Sequence, residues 1–445
     1  MTAEIIIIGG GASGLMAAIA AGTIFSDTDS TPGGQSLRPA AGGSAPGAYM
    51  PVLLFERMDK TGKKILATGN GRCNFSNTYM DRSCFRSDSP KLAENVLEQF
   101  GQEQATELFQ TLGIMVKNRD GYLYPLSGQA SSILDVLMCE LSRLPVKVVT
   151  DSKVLKVMRV KDKYQVTDGR GQVHTAKKVI IACGGRAYPK LGSDGSGYKI
   201  AKALGHTVIR PVPALTALYT RQDFFKKVAG VRADGCIRLY ITNDAKPAGD
   251  PPVPAAWDRG ELQLTDYGIS GIPVFQVSRF AAKALAQKLH VKAVLDFMPD
   301  MDEGRLFVYL WDRAVSRPQK TAEEFLIGMF NKKLCDLFIS LAQLPPGQKT
   351  GSLSKKQLGS LVRMIKALET DIVKTGDFDH AQVCAGGVDG RELDRHLQSL
   401  KCPGLYFSGE IIDVDGICGG YNLQWAWSSG YVSGQHAALS VLKEN

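Results

Sequence analysis

The sequence predicts an α/β fold in which a parallel-sheet domain, assembled from both ends of the chain, is interrupted by an antiparallel β segment and a helical segment. Three observations carry this expectation. Ile5 to Ile8, a run of β-branched residues, leads straight into Gly9-Gly10-Gly11-Ala12-Ser13-Gly14 and then LMAAIAAG. A second apolar run, KVIIACGG at 178 to 185, also ends in glycines. The texture changes from about residue 207, and strands with glycines return only after Asp371.

Taken in order, the elements read as follows. Ile5 to Ile8 has no polar interruption and suits a central strand buried on both faces. LMAAIAAG reads as a small-residue helix. Residues 26 to 50 are rich in Gly, Ser, Pro and Ala and read as an irregular surface insertion, a spacer in preference to a partner-binding loop. Val52 to Phe55 is the next strand and ends at Glu56. Residues 91 to 112 have helical periodicity (Leu92, Val96, Leu97, Phe100, Leu108), and 131 to 144 form another helix. Strands follow at 146 to 150, 153 to 160, 164 to 168 and 178 to 182. Segments such as IRLYITN and GELQLTD then alternate as an antiparallel unit. Residues 301 to 370 are mainly helical, with a breaker, LPPGQKTG. LYFSGE at 405 to 410 is a strand, and Asn422 to Leu442 is a helix. No repeat of fixed period is present.

With 445 residues, two or three domains are expected. The net charge of +9 comes from scattered basic pairs such as Lys63-Lys64 and Lys177-Lys178. A solvated basic surface is favoured over nucleic-acid binding, though a mild positive field aids capture of an anionic ligand. Nine cysteines without a CxxC pair or zinc-type spacing disfavour a disulfide scaffold and a metal site. No signal peptide and no spanning helix are expected, so the cytoplasm is the expected compartment.

Gly9 to Gly14 fits G-x-G-x-x-G between a strand and a helix, the context the Rossmann motif requires. Gly9 permits the tight turn, Gly11 lets a pyrophosphate approach, and Gly14 packs helix on strand. The first amides of the helix, around Ala12 and Ser13, face the phosphates. Glu56 ends the second strand 42 positions after Gly14, the insertion accounting for the excess over about 20 residues. A carboxylate there suits a free ribose 2′-hydroxyl, hence FAD or NAD rather than NADP.

Gly62-Lys63-Lys64 and TGNGRCN (Thr68 to Asn74, with Gly69, Arg72 and Cys73) should line the crevice beyond the sheet edge. Arg72 is a planar donor for flavin carbonyls, phosphate or an anionic substrate. Cys73 reads as a packing residue in preference to a redox one. Towards the C-terminus, Gly409-Glu410 follows a strand, and Gly419-Gly420-Tyr421-Asn422 opens a helix. In FAD enzymes an acidic residue after such a glycine binds the ribityl hydroxyls, and a helix start stabilises charge at flavin N1/C2. Glu410 and the amides of Tyr421, Asn422, Leu423 and Gln424 fit these roles. Asp413 and Asp415 are either ribityl ligands or solvated turn residues. Trp425 and Trp427 read as helix packing.

Together these segments resemble the BaiN-like (aminoacetone oxidase-like) family of bacterial FAD/NAD(P)-dependent oxidoreductases. The likeness runs from residue 4 to about 440, apart from 26 to 50. It is carried by IIIIGGGASGLMAA; GKKILATGNGRCNFSN; CGGRAYPKLGSDGSGYKIAKALGH; GELQLTDYGISGIPVFQVS; and AGGVDGREL with GLYFSGEIIDVDGICGGYNLQWAWSSGYVSG. Two positions depart from it, Asn70 within the glycine run and Asp194 where Thr is frequent. The resemblance implies a Rossmann-like FAD-binding domain from residues 1–190 and 371–445. It also implies an inserted β-barrel-like subdomain (191–300) and a helical one (301–370), which cover the flavin and shape the substrate pocket. It further implies FAD contacts from Gly184, Gly185 and Val154.

The chemistry this implies is hydride transfer at the N5 of a non-covalent FAD. One direction is NAD(P)H-linked reduction of an activated C=C bond in a small organic substrate. The alternatives are an O2-dependent amine or aminoketone oxidase and an FAD-binding protein with an RNA-related role. Arg72, Tyr188 and Tyr267 are the candidates for proton donation or substrate anchoring. His206 reads as a helix-end residue.

Overall fold

The computed structural model describes residues 1–30, 50–243 and 253–444. They divide into two compact units, Met1–Pro211 with Val383–Asn445, and Val212–Gln382. Each has its own hydrophobic cluster. These limits differ from 190 and 371. Residues 191–211 pack with the first unit, and the strand after residue 367 closes the barrel of the second.

The first unit begins with β1 (Thr2–Ile8), buried at every position after Thr2, as a central strand must be. α1 (Ala12–Ser30) continues five residues into the stretch expected to be irregular. The rest of that stretch up to residue 49 lies outside the described residues. β2 (Met50–Phe55) follows. The single helix expected over 91–112 is two, α2 (Pro90–Gln99) and α3 (Gln102–Thr111). Phe100 leaves the helical region (φ −148, ψ 89). The Gln104 side chain accepts the Gly101 amide at 2.9 Å and starts the second helix. Then come α4 (Ala130–Arg143), β3 (Val146–Val149), β4 (Val154–Val160), β5 (Lys163–Asp168), β6 (Val173–Ile181) and α5 (Ser196–Ala203).

The second unit contains β7 (Leu218–Thr220), β8 (Arg232–Thr242), β9 (Ala256–Thr265), β10 (Gly268–Ser270), α6 (Ile272–Ala286) and β11 (His290–Asp296). α7 (Glu303–Ser316), α8 (Lys332–Leu341), α9 (Lys355–Lys366) and β12 (Leu368–Thr375) complete it. The strands close an antiparallel barrel in the order β7-β10-β9-β8-β11-β12. α6 corrects the purely β expectation for 207–300. Pro273 sits in its first turn, and Val274, Val277, Ala281 and Ala284 are buried at helical spacing. The buried Lys366 ammonium lies 2.9 Å from Asp296 and donates to Met298 O at 2.6 Å, joining α9 to the barrel.

Back in the first unit, β13 (Leu405–Phe407) and α10 (Tyr421–Glu444) finish the chain. The sheet order is β3-β2-β1-β6-β5-β4, with β13 also paired to β6. Val173 to Ala176 of β6 pair antiparallel with β5, and Val179 to Ile181 pair parallel with β13. One strand therefore carries both the β-meander and the C-terminal ribbon. α10 lies directly on α1. A Cβ at Gly430 would fall 2.4 Å from Ser13 O, and one at Gly434 only 2.2 Å from Ala17 O. The two backbones touch because those positions have no side chain.

Two predictions follow from packing and burial. Gly434→Val should lower stability by about 2 kcal/mol or more, because Ala17 O is backbone and cannot yield. Gly359→Ala in α9, where an added Cβ meets nothing within 4 Å, should instead raise it by about 0.5 kcal/mol. Thermal midpoints of both variants check the opposite signs.

The second concerns His436, stacked on His396 with ring centroids 3.6 Å apart. Burial, reinforced by His396, holds His436 down to about 4. The unfolded imidazole titrates near 6.5, so this contribution is complete above about 6.5 and is lost as pH falls towards 4. Replacing His436 by Phe should flatten the stability–pH curve in that window by about 1–2 kcal/mol, allowing for solvent screening. Urea midpoints at neutral pH and at pH near 4.5 measure it.

Candidate dinucleotide site

The glycine turn between β1 and α1 assigns a separate role to each of its key residues. Gly9 has φ +111, and a Cβ there would lie 2.4 Å from Ala182 O. At Gly14 a Cβ would lie 1.8 Å from Gly9 O, so the helix closes onto the strand only with glycine. At Gly11 an added Cβ meets nothing within 4 Å. Leu15 makes the bond back to Gly11 O, at 2.9 Å, and the amides of Ala12, Ser13 and Gly14 precede it with no intrahelical carbonyl to bond. Open space beside amides that have no partner among the described residues, at a positive helix end, fits a pyrophosphate.

Glu56 is brought to this turn by the parallel pairing of Ile8 with Phe55. Its Oε2 accepts the Gly10 amide and its Oε1 the Met58 amide, both at 2.8 Å. The buried carboxylate is thus held in one orientation, and each oxygen keeps a lone pair for a ribose hydroxyl. Val154 is buried at the start of β4.

The second segment is tied to the same turn, since Gly62 N donates to Gly10 O at 2.8 Å. Lys63 pairs with Asp59, four residues earlier in the chain. Lys64 reaches Glu410 Oε2 at 2.7 Å, while Glu410 Oε1 accepts the Cys384 amide at 2.9 Å. A Cβ at Gly185 would sit 2.8 Å from that Oε1, which explains the glycine. Gly184 has φ +68 beside the Ser193 hydroxyl. In TGNGRCN, Gly69, Asn70, Gly71 and Cys73 all have positive φ. Asn is among the side chains that best tolerate that region, which suits Asn70 to its left-handed backbone. Arg72 is exposed, with a long contact of 3.4 Å from Nε to Gly69 O. Burial pushes the Cys73 thiol up to about 12, so it packs as a neutral thiol. The buried Oδ1 of Asn74 has no hydrogen-bond partner among the described residues, an acceptor left open beside the loop.

The C-terminal ribbon meets the N-terminal turn at Ser13. Its hydroxyl lies 3.3 Å from Ser408 O, and a Cβ at Gly409 would be 2.4 Å from Ser13 Oγ. Gly409 N donates to Ser429 Oγ at 2.9 Å, and Trp425 Nε1 to Gly409 O at 3.1 Å. Trp427 Nε1 donates to Phe75 O. Both indoles are buried packing groups, as expected. Asn422 closes the loop before α10, accepting from Gly416 N at 2.8 Å and donating to Gly416 O at 2.9 Å. The first-turn amides of Tyr421, Asn422 and Leu423 are what α10 offers a ligand. Gln424 differs, because its side chain is held by Ser76 and Ser428 and its amide donates to Gly420 O. Gly420 itself (φ +94) passes against Ser76 O. Asp413 and Asp415 are both buried, not solvated turn residues, and Asp413 Oδ2 accepts the Asp88 amide at 2.9 Å.

Tyr188 is half-buried in the left-handed region (φ +58), just before Pro189. Tyr267 belongs to the second unit, where it stacks on Tyr219 with ring centroids 4.5 Å apart. Sequence reasoning missed Cys384, whose Sγ accepts the Arg186 amide at 3.0 Å and whose own amide holds Glu410. Burial raises its thiol to about 12. A backbone donor leaves no mark in residue spacing, so no sequence signal pointed to it.

His206, expected at a helix end, follows α5. Its Nε2 lies 2.9 Å from Ser399 Oγ and its Nδ1 3.0 Å from Glu392 Oε2, the connectivity of a hydrolase triad. Yet Ser399 is 2% exposed and its hydroxyl also accepts the amides of Lys401 and Cys402. A nucleophile needs an open face, so this network closes a loop.

The family described as HI0933-like protein Rossmann domain matches residues 40–436. A 3-dehydro-bile acid delta(4,6)-reductase of Clostridium scindens is 42% identical over 433 residues, covering 97% of this chain and 98% of its own length. A ribosomal RNA dihydrouridine synthase of Escherichia coli is 31% identical over 393 residues, covering 86% of this chain and 91% of its own. One of Haemophilus influenzae is 27% identical over 403 residues, covering 88% and 93%.

The glycine geometry predicts a split between binding and folding. Gly11→Val should yield a folded protein with an unchanged melting temperature that takes up no FAD, since the side chain enters only the open space. Gly14→Val should fail at folding. Melting curves and visible spectra of both variants test the contrast.

Proposed function

The chain belongs to the HI0933-like family as an FAD-dependent oxidoreductase, and from that premise we propose that it is an NAD(P)H-linked reductase of an activated C=C bond in a small organic substrate, a conjugated ketone of the bile-acid class. The observation that carries the FAD reading is the open space at Gly11, beside the first amides of α1 and the amide-held Glu56. The reductase direction and the substrate class rest on the relative that is 42% identical over almost the whole chain.

When bound, FAD supplies hydride exchange at its N5. The protein's part is position and electrostatics. The α1 amides would hold the pyrophosphate, and Glu56 would orient the ribose hydroxyls. Glu410, fixed by Lys64 and the Cys384 amide, offers its remaining lone pairs to the ribityl chain. The first-turn amides of α10 would favour negative charge on the flavin. Within the first unit, Arg72 is the candidate for anchoring a substrate carbonyl, and Tyr188 for anchoring it or supplying a proton.

Under anaerobic conditions NADPH or NADH should bleach the flavin band near ~450 nm, and a conjugated 3-oxo bile acid should restore it with formation of the saturated product. Peroxide formation from aminoacetone, without bleaching by either nicotinamide, identifies an oxidase and overturns the reading. Reduction of RNA uridines with no turnover of the ketone overturns the substrate class alone.

A further inference from the structure

We propose that Asp194 is a positioning residue for the cofactor, a two-cation bridge to Arg57 and Lys153 that clamps the adenosine end of the crevice and sets how long FAD stays bound. This rests on the FAD reading above and adds to it a group outside the cradle.

The three partners come from three different stretches of the first unit. Arg57 follows Glu56 directly, at the end of β2. Lys153 directly precedes Val154, the first residue of β4. Asp194 lies on the loop after β6, downstream of Gly184 and Gly185 on the same loop. Its Oδ2 pairs with the Arg57 guanidinium and lies 3.2 Å from Lys153 Nζ. Its Oδ1 accepts the Ser196 amide at 2.9 Å and so anchors the first turn of α5.

The same loop passes over the ribose carboxylate. A Cβ at Gly192 would lie 3.6 Å from Met58 and 4.0 Å from Glu56 Oε1. The bridge therefore joins segments that border the mouth beside Glu56, not a remote surface. Without the carboxylate, Arg57 and Lys153 become two like charges with no common partner, and the loop loses its tie to both. Burial pushes the Asp194 carboxyl up, but Ser196, Lys153 and Arg57 together outweigh it and hold it down to about 2. The carboxylate is accordingly ionised at neutral pH. Because Lys153 is about half exposed, added salt weakens the bridge.

The test compares wild type with Asp194→Asn, Asp194→Glu and Lys153→Gln. FAD dissociation constants and off-rates are read from flavin fluorescence at low and high NaCl, and melting temperatures from the apoproteins. Asp194→Asn should raise the FAD off-rate about tenfold and remove most of its salt dependence, while Asp194→Glu restores both. Lys153→Gln, at the more exposed partner, should give a smaller rise of about threefold and serves if Asp194→Asn does not fold. An off-rate within twofold of wild type in both neutral variants overturns the proposal. So does a loss that Glu fails to restore, or a faster off-rate matched by a lower apoprotein melting temperature, which marks a purely structural role. A wild type that binds no FAD overturns the cofactor reading itself, a result separate from all of these.

Discussion

The backbone contact between α1 and α10 is the constraint on which the rest of the first unit depends. Gly430 and Gly434 present bare backbone to Ser13 and Ala17, and no side chain larger than hydrogen fits there. That approach places the residue following the strand Leu405–Phe407 against the Ser13 hydroxyl. Two helix starts more than 400 residues apart are thereby held in one unit. Dispersion and exclusion of water favour such contact once it forms, while steric overlap makes it specific to small residues.

Carboxylates then convert long sequence separations into local geometry. Glu56 gathers the amides of Gly10 and Met58, Glu410 the Cys384 amide and the Lys64 ammonium, and Asp413 the Asp88 amide. Each is buried or half-buried and accepts from backbone, where hydrogen bonds to a charged acceptor are short and strong. The same groups that would face FAD also fix the turns that face it. Binding and folding therefore share residues, except at Gly11, where only the ligand has a use for the space.

The elements differ in how far the sequence reveals them. Strands β1, β2 and β6, the helix α10 and the glycine turn were legible because burial on both faces and close approach restrict composition strongly. The break at Phe100 was not, since Leu97 and Leu108 keep a helical spacing that runs across it. α6 was hidden by the alternating strands on either side of it. The limits of the insertion were missed because β12 looks like any strand until its partners β7 and β11 are known.

Within the site, the identities of Gly9, Gly11, Gly14, Glu56 and Glu410 were set by local rules, since a tight turn, an open approach and a strand-end acid each demand one residue type. Sequence alone thus determined the α/β class, the dinucleotide turn and the return of the C-terminal ribbon to the same domain. Only tertiary structure decided that Gln424 is occupied by Ser76 and Ser428, that Asp413 is buried, and that Cys384 supports Glu410 through its amide. The reason is physical. Side-chain pattern encodes burial and backbone freedom, whereas a hydrogen-bond partner depends on which distant segment arrives beside it, and a backbone donor looks the same in every residue.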